Sequence, residues 1–109
     1  MILATTNDIP GRPVSEVLGL VRGSTVRARH VGRDIGAVFK NLVGGEVEEY
    51  TKLLGEVREQ ALDRMIAEAR TRGADAVVGL RFAATEIASG AAEILAYGTA
   101  VKLGTPPRA

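Results

Sequence analysis

The segment from Glu46 to Gly73 constrains the fold most, because it is long and regular enough to specify a single helix. Its apolar residues recur at steps of three and four, which places them along one side of an α-helix. Gly73 is typical of a helix C-terminus, and the chain after it becomes an apolar strand pattern. The stripe consists of Val47, Tyr50, Leu54, Val57, Ala61, Met65, Ile66 and Ala69.

Strand patterns flank this helix on both sides. Before it, residues 2–6 form a short strand candidate, residues 7–13 contain two prolines and a glycine that indicate a turn, and residues 14–29 follow a β pattern. The Gly23-Ser24 pair within that pattern indicates either a turn or a bulge in one long strand, and both alternatives remain open. After the helix, residues 76–87 and 91–103 are joined by a short Ser-Gly connection typical of a hairpin.

These elements predict an α+β fold, in which an antiparallel sheet of two hairpins flanks one long helix. The chain of 109 residues is short enough to be a single domain, which we expect to span residues 1–103. The remaining residues 104–109 include two prolines, and we expect them to form a flexible C-terminal tail.

The width of the predicted sheet indicates self-association. Four strands make a sheet roughly 15–19 Å wide, whereas one helix covers only about 10 Å of it. The last two strand patterns also carry apolar residues on both faces, as in sheets that are covered on both sides. We therefore expect a homo-oligomer, and the candidate interface residues are Tyr50, Gly55 and Tyr97, of which Gly55 is unusual in a helix interior.

Composition excludes several classes of function. A net charge of +1 predicts no general attraction for nucleic acid or for an anionic membrane surface. The absence of cysteine excludes disulfides and thiolate metal sites. No apolar run approaches the roughly 20 residues that span a bilayer, and the N-terminus lacks the basic flank of a secretory signal. We expect a cytoplasmic protein.

The densest polar cluster begins at Arg22 within the second strand pattern, continues beyond its end and predicts the ligand-binding site. Convergent guanidinium groups bind carboxylates or phosphates through charge-assisted hydrogen bonds, although such residues can also form a solvated strand face. The candidate ligand-binding residues are Arg27, Arg29, His30, Arg33 and Asp34.

No catalytic constellation is evident, and we predict no cofactor and no metal site. His30 is the only histidine, and nothing around it has the spacing of a metal-binding motif. A general base formed by His30 with Arg33 and Asp34 is the remaining enzyme hypothesis. The Gly44-Gly45 pair resembles a turn more than a phosphate loop, because glutamates follow it and no Lys-Ser or Lys-Thr pair does.

Several motifs together resemble one family: Arg33-Asp34, Gly44-Gly45 with Tyr50, Ala61 with Ala69, Gly73-Ala74-Asp75-Ala76-Val77-Val78-Gly79, and Gly98-Thr99-Ala100-Val101. On these motifs the chain resembles the YbjQ family of small bacterial proteins, which implies a compact α+β subunit assembled as a ring-like homopentamer. Members often carry a heavy-metal-binding label, yet soft metals favour thiolates and thioethers, and the only sulfur atoms here belong to two methionines.

The sequence therefore predicts a non-enzymatic homo-oligomer, a pentamer according to the resemblance. Its expected activity is to bind a small anion, a metabolite or a protein partner where subunits meet. Metal binding is the alternative that the family label suggests, and the absence of cysteine with only one histidine disfavours it.

Overall fold

The computed structural model describes residues 1–28, 47–88 and 91–105. Within these ranges the chain forms one helix and four strands, which confirms the predicted α+β class. In chain order the elements are β1 (Ile2–Leu3), β2 (Val14–Ala28), α1 (Val47–Thr71), β3 (Ala76–Ala88) and β4 (Ala91–Leu103).

The four strands form one mixed sheet in the order β1-β3-β4-β2. β4 lies in the centre and pairs antiparallel with both β2 and β3, so the predicted C-terminal hairpin is confirmed. The prediction of an N-terminal hairpin is wrong, because β1 lies at the opposite edge from β2 and runs parallel to β3. The N-terminal segment donates its backbone hydrogen bonds to the residues that follow α1. Ile2 N–H donates to Asp75 O (3.2 Å), and Ala4 N–H donates to Val77 O (2.9 Å).

Helix α1 agrees closely with the predicted span, apart from Glu46, which lies outside the described residues. Val57, Ala61, Met65 and Ala69 of the apolar stripe are buried. The helix ends as the sequence predicts, since Gly73 has a φ of 73° and its N–H donates to Arg70 O (3.0 Å), while Ala74 N–H donates to Ala69 O (3.1 Å). These two bonds form a Schellman motif and satisfy carbonyls that the helix end would leave unpaired.

Two apolar clusters lie on opposite faces of the sheet. The first joins α1 to the sheet and consists of Val21, Ala61, Met65, Ala69, Val77, Leu80, Ala96 and Ala100. The second lies on the other face at one end, where Ile9 from the turn before β2 packs with Val14 against Ala76, Val78, Val101 and Leu103.

β2 continues without interruption through the Gly23-Ser24 pair. Gly23 lies opposite Ala96 and Ser24 lies opposite Leu95 in an unbroken register, so the pair forms neither a turn nor a bulge. The irregular positions of β2 occur earlier, before Gly19.

Gly23 has another role, which is to let the helix approach the sheet. A β-carbon on Gly23 would overlap the carbonyl oxygen of Ala61 and the backbone nitrogen of Met65. The helix backbone therefore lies directly on the backbone of β2.

No helix in the described ranges is both long and apolar enough to cross a membrane. Localisation to the cytoplasm stays a prediction. The division into a domain at residues 1–103 and a tail at 104–109 also stays a prediction, and residues 106–109 lie outside the described part of the chain.

Candidate functional site

Helix α1 lies over β2 and the central strand, not over the whole sheet. Two arginines of α1 and its C-terminal turn bond to β2: Arg64 donates to Ser24 O, and Arg72 donates to Leu18 O (3.1 Å). Arg72 also forms an ion pair with Glu68, four residues earlier in the chain, at 3.1 Å.

Among the described residues, nothing covers the opposite flank of the helix, which faces β1 and β3. An apolar groove of about 220 Å³ lies there, and Phe82 at its rim is 45% exposed. This arrangement agrees with the expectation that one helix is too narrow for the sheet. We call this feature the helix-side groove, lined by Leu3, Ala4, Thr5, Leu62, Leu80 and Phe82.

The sheet face opposite α1 is only partly covered within the described residues. Beyond the cluster around Ile9, β2 exposes three large apolar side chains on it: Val17 (64%), Leu20 (56%) and Val26 (54%). We call this side of β2, β4 and β3 the uncovered face.

Three polar side chains lie in one row across the uncovered face. Tyr97 of β4 is paired at the same time with Arg22 of β2 and with Arg81 of β3. Directly opposite residues in a sheet project to the same side, and this side is the uncovered face because neighbouring residues such as Val21 and Ala96 belong to the core beneath α1. The row therefore places a tyrosine between two arginines.

The two arginines of this row differ in their surroundings. Arg81 donates from Nη1 to the carbonyl oxygens of Thr5 and Leu80, both at 2.8 Å, so it also ties the segment after β1 to β3. Arg22 is exposed. Neither forms an ion pair with a carboxylate of the described residues, where the one ion pair is that of α1.

The predicted ligand-binding residues fall mostly outside the described ranges. The undescribed segment 29–46 contains Arg29, His30, Arg33 and Asp34. Arg27 is the penultimate residue of β2. The predicted anion site on these five residues stays a prediction, and so does the enzyme hypothesis based on His30.

The predicted interface residues have three different placements. Tyr50 belongs to the first half of α1. Gly55 is also in α1, and no atom lies within 4 Å of the position that a β-carbon would occupy, so packing within the described chain does not require a glycine there. Tyr97 is half-buried on the uncovered face. Their role in an interface stays a prediction.

Metal-ligating side chains do not converge in the part of the chain that is described, where no group of three or more His, Asp or Glu residues could hold an ion. Asp75 has a structural contact instead, because its Oδ2 accepts a hydrogen bond from the backbone N–H of Leu103 at 2.8 Å. The carboxylate thus joins the exit of α1 to the end of β4.

Sequence reasoning included Arg22 in the basic cluster but missed Arg81. Period-two alternation can show which residues of one strand share a face, but it cannot show which residue of another strand lies opposite. The strand register that brings Arg81 next to Tyr97 follows a shift between Val78 and Arg81, so even a predicted hairpin would have misplaced it.

The fold and the exposed apolar surfaces define a small α+β protein, with one helix on one side of a mixed sheet. The chain belongs to the YbjQ family, because the family model described as "Putative heavy-metal-binding" matches residues 1–104. The resemblance found in the sequence is thereby confirmed.

Relatives of this chain are found in archaea as well as in bacteria, so the expectation of a bacterial protein is not confirmed. The chain is 58% identical over 103 residues to a UPF0145 protein of Archaeoglobus fulgidus, covering 94% of this chain and 95% of that protein. It is 57% identical over 103 residues to a UPF0145 protein of Thermotoga maritima, with coverages of 94% and 97%.

A solved structure shows the same fold. The crystal structure of a protein of unknown function in the DUF74 family, from Pediococcus pentosaceus, superposes with a TM-score of 0.63 over 95% of this chain and 98% of that chain. Its sequence identity is 13%, so the similarity concerns the fold alone.

Proposed function

We propose that this chain is the subunit of a non-enzymatic homo-oligomer, a ring of five by family resemblance, that binds a ligand where its subunits meet. The observation that carries the proposal is that residues 1–28, 47–88 and 91–105 leave apolar side chains exposed on both sides of the sheet. Phe82 is nearly half exposed on the helix side, and Val17, Leu20 and Val26 are more than half exposed on the other. Large apolar side chains exposed on a sheet face and beside a groove support an interaction surface.

Two free strand edges add to the case for self-association. Within the described residues β2 pairs only with β4, so its outer edge of 15 residues is unpaired. At the other side of the sheet, β1 pairs with the first residues of β3, and no described strand pairs with the edge of β3 beyond Leu80. Unpaired edges are templates for pairing with another chain.

In a ring, a single kind of contact between neighbouring subunits pairs both free strand edges. A two-fold dimer through β2 would cover that edge and leave β3 free, whereas a head-to-tail contact joins the β2 edge of one copy to the β3 edge of the next. Both strands run antiparallel to β4 and therefore in the same direction, so the new pair would be parallel. Repeated rotation closes such contacts into a ring.

A substitution at the rim of the helix-side groove tests whether this surface is buried in the assembly. Native mass spectrometry and light scattering of the unmodified protein should give about five times the subunit mass of 11.5 kDa at micromolar concentration. Phe82→Lys places a charge at the groove rim and should lower the mass towards that of a monomer, because burying an unpaired charge is costly.

Phe82→Leu is the matched control, because it keeps the side chain apolar at the same position. It should leave the assembled mass unchanged. A monomer for the unmodified protein would overturn the proposal, and so would an unchanged assembly of folded Phe82→Lys, judged by its far-ultraviolet circular dichroism.

A further inference from the structure

We propose that a second copy of this chain adds its β3 to the outer edge of β2 in one register, with Phe82 of the second copy opposite Val21. The inference rests on the proposed head-to-tail assembly and specifies which residues of the two strand edges meet. Arg64 and Arg72 set this register, because each occupies a carbonyl group that a neighbouring strand would otherwise use.

The backbone groups of β2 that point outward can be identified from the hydrogen bonds of β4. The carbonyl oxygen of Val101 accepts a hydrogen bond from Asp75 N–H (2.9 Å), so Val101 faces β3. Backbone groups alternate in direction along a strand, so the even-numbered residues of 94–100 face β2, and their partners 19, 21, 23 and 25 face β4. The residues of β2 that direct N–H and C=O groups to the outer edge are therefore Leu20, Arg22 and Ser24.

Two carbonyl groups of β2 are already occupied by side chains of the helix segment. Arg64 donates from Nη1 to Ser24 O, which points to the outer edge. Arg72 donates from Nη1 to Leu18 O (3.1 Å). Between these two carbonyls, the outward groups of residues 20 and 22 pair with no described strand. The part of the edge that can accept a strand is thus bounded on both sides.

The outer edge of β3 becomes available at Phe82. Leu80 N–H donates to Ala4 O (3.0 Å), so Leu80 directs its backbone groups towards the N-terminal segment. By alternation, Phe82 and Ala84 direct theirs to the same edge, beyond the residues that pair with β1. Phe82 is therefore the first residue of this edge that a strand of another copy can pair with.

The proposed register uses only unoccupied carbonyl groups. In a parallel pair, the two backbone groups of one residue bond two residues of the other strand that lie two positions apart. With Phe82 opposite Val21, Phe82 N–H donates to Leu20 O and Phe82 O accepts from Arg22 N–H. Ala84 N–H then donates to Arg22 O. None of these bonds competes with an arginine of the helix segment.

Neighbouring registers lose hydrogen bonds. A shift of two positions towards the start of β2 directs Phe82 N–H at Leu18 O, where Arg72 is bound. A shift of two positions towards its end directs Ala84 N–H at the carbonyl that Arg64 occupies. A shift of one position moves the side chain of Phe82 to the wrong face of the shared sheet.

The same register places Phe82 where a large side chain is needed. β3, β4 and β2 of each copy form the repeating part of the shared sheet, so consecutive helices lie about 14 Å apart. Helices that pack directly are about 8–10 Å apart, which leaves a narrow gap between them. Phe82 lies beside Leu62 of its own α1, and opposite Val21 it reaches the flank of the next α1 that carries Arg64.

A pair of engineered cysteines tests the register, because the chain has no cysteine of its own. On the uncovered face, Ala83 of one copy lies opposite Arg22 of the next, with Cα atoms about 5 Å apart as a disulfide requires. Within one chain β4 separates these residues by about 10 Å, so they cannot form a disulfide. Oxidation of Arg22→Cys/Ala83→Cys should give a covalent ladder that reaches the full assembly on a non-reducing denaturing gel.

Arg22→Cys/Thr85→Cys is the matched control. Thr85 is two positions further along the same face of β3, so its Cα lies about 8 Å from that of Arg22, and we expect roughly tenfold less cross-linked product. The single variant Arg22→Cys should not cross-link, and it reports a two-fold contact through β2 if it does. Cross-linking of either control as readily as the first pair overturns the register.

The outcomes separate the register from the assembly itself. If native mass spectrometry shows a ring but Arg22→Cys/Ala83→Cys gives no covalent ladder, the register is overturned and the proposed assembly stands. A monomer overturns both. Native mass and circular dichroism of each reduced variant establish that it is folded and assembled. If the first pair fails this check, Ser24→Cys/Thr85→Cys, the next opposed pair on the same face, decides the case by the same ladder.

Discussion

Met65 of α1 lies directly against the backbone of Gly23 in β2, and its backbone nitrogen occupies the position that a β-carbon on Gly23 would need. Both residues are buried. Because Gly23 has no side chain, the helix backbone can pack directly on the backbone of β2. This close contact depends on one glycine in the middle of a long strand.

Gly23→Ala should therefore destabilise the protein strongly. The new methyl group meets backbone atoms of Ala61 and Met65, which cannot move without shifting the helix. We expect the free energy of unfolding to fall by about 3 kcal/mol, at the upper end for overpacking. Urea denaturation at a fixed protein concentration measures it, and a change of less than about 0.5 kcal/mol, typical of a surface substitution, would contradict the described helix placement.

Gly55→Ala should have the opposite effect on stability to Gly23→Ala. No atom of the described residues lies within 4 Å of the added methyl group, so the main effect is the better helix propensity of alanine. The free energy of unfolding should therefore rise by about 1 kcal/mol. The same denaturation experiment tests it, with the assembled mass measured in parallel. A drop in stability or mass would show instead that a neighbouring subunit contacts Gly55, as the sequence-based interface hypothesis requires.

Asp75→Ala should weaken the junction between the end of α1 and the end of β4. The substitution leaves the buried N–H of Leu103 without its acceptor, at a cost of about 1–3 kcal/mol in the free energy of unfolding. Asp75→Asn keeps a side-chain oxygen at that place and should lose less. Thermal and urea unfolding of the two variants compare them directly, and equal losses would show that the charge of Asp75 matters more than its hydrogen bond.

Thr25→Val should leave the protein as stable or make it more stable. Thr25 is buried, and its Oγ1 has no hydrogen-bond partner among the described residues, so a methyl group of the same shape removes a desolvation cost of about 1 kcal/mol. Thr85→Val, at an exposed position of β3, serves as the control. A clear loss of stability for Thr25→Val alone would mean that Oγ1 finds a partner outside these residues.

The helix and its ending could be predicted from the sequence because both depend on near neighbours. The apolar stripe from Val57 to Ala69 follows from spacing, and the Schellman motif at Gly73 involves residues within five positions of one another. The C-terminal hairpin was predictable for the same reason, since only two residues separate its strands.

The position of β1 and the role of Gly23 could not be predicted in this way. β1 bonds to residues more than 70 positions later in the chain, and Gly23 contacts a helix that begins more than 20 residues after it. Gly55 looked unusual to a local analysis, whereas Gly23 looked like an ordinary break in a strand.

The row of polar residues on the uncovered face was also predictable only in part from the sequence. Residue types and alternation were enough to place Arg22 in a basic cluster, and a local pattern also determined the class of fold and the long helix. Pairing across the sheet brought Arg22, Tyr97 and Arg81 into one row. Helix geometry repeats every few residues, but strand register is set by packing and hydrogen bonds between distant segments, so it became visible in the folded chain.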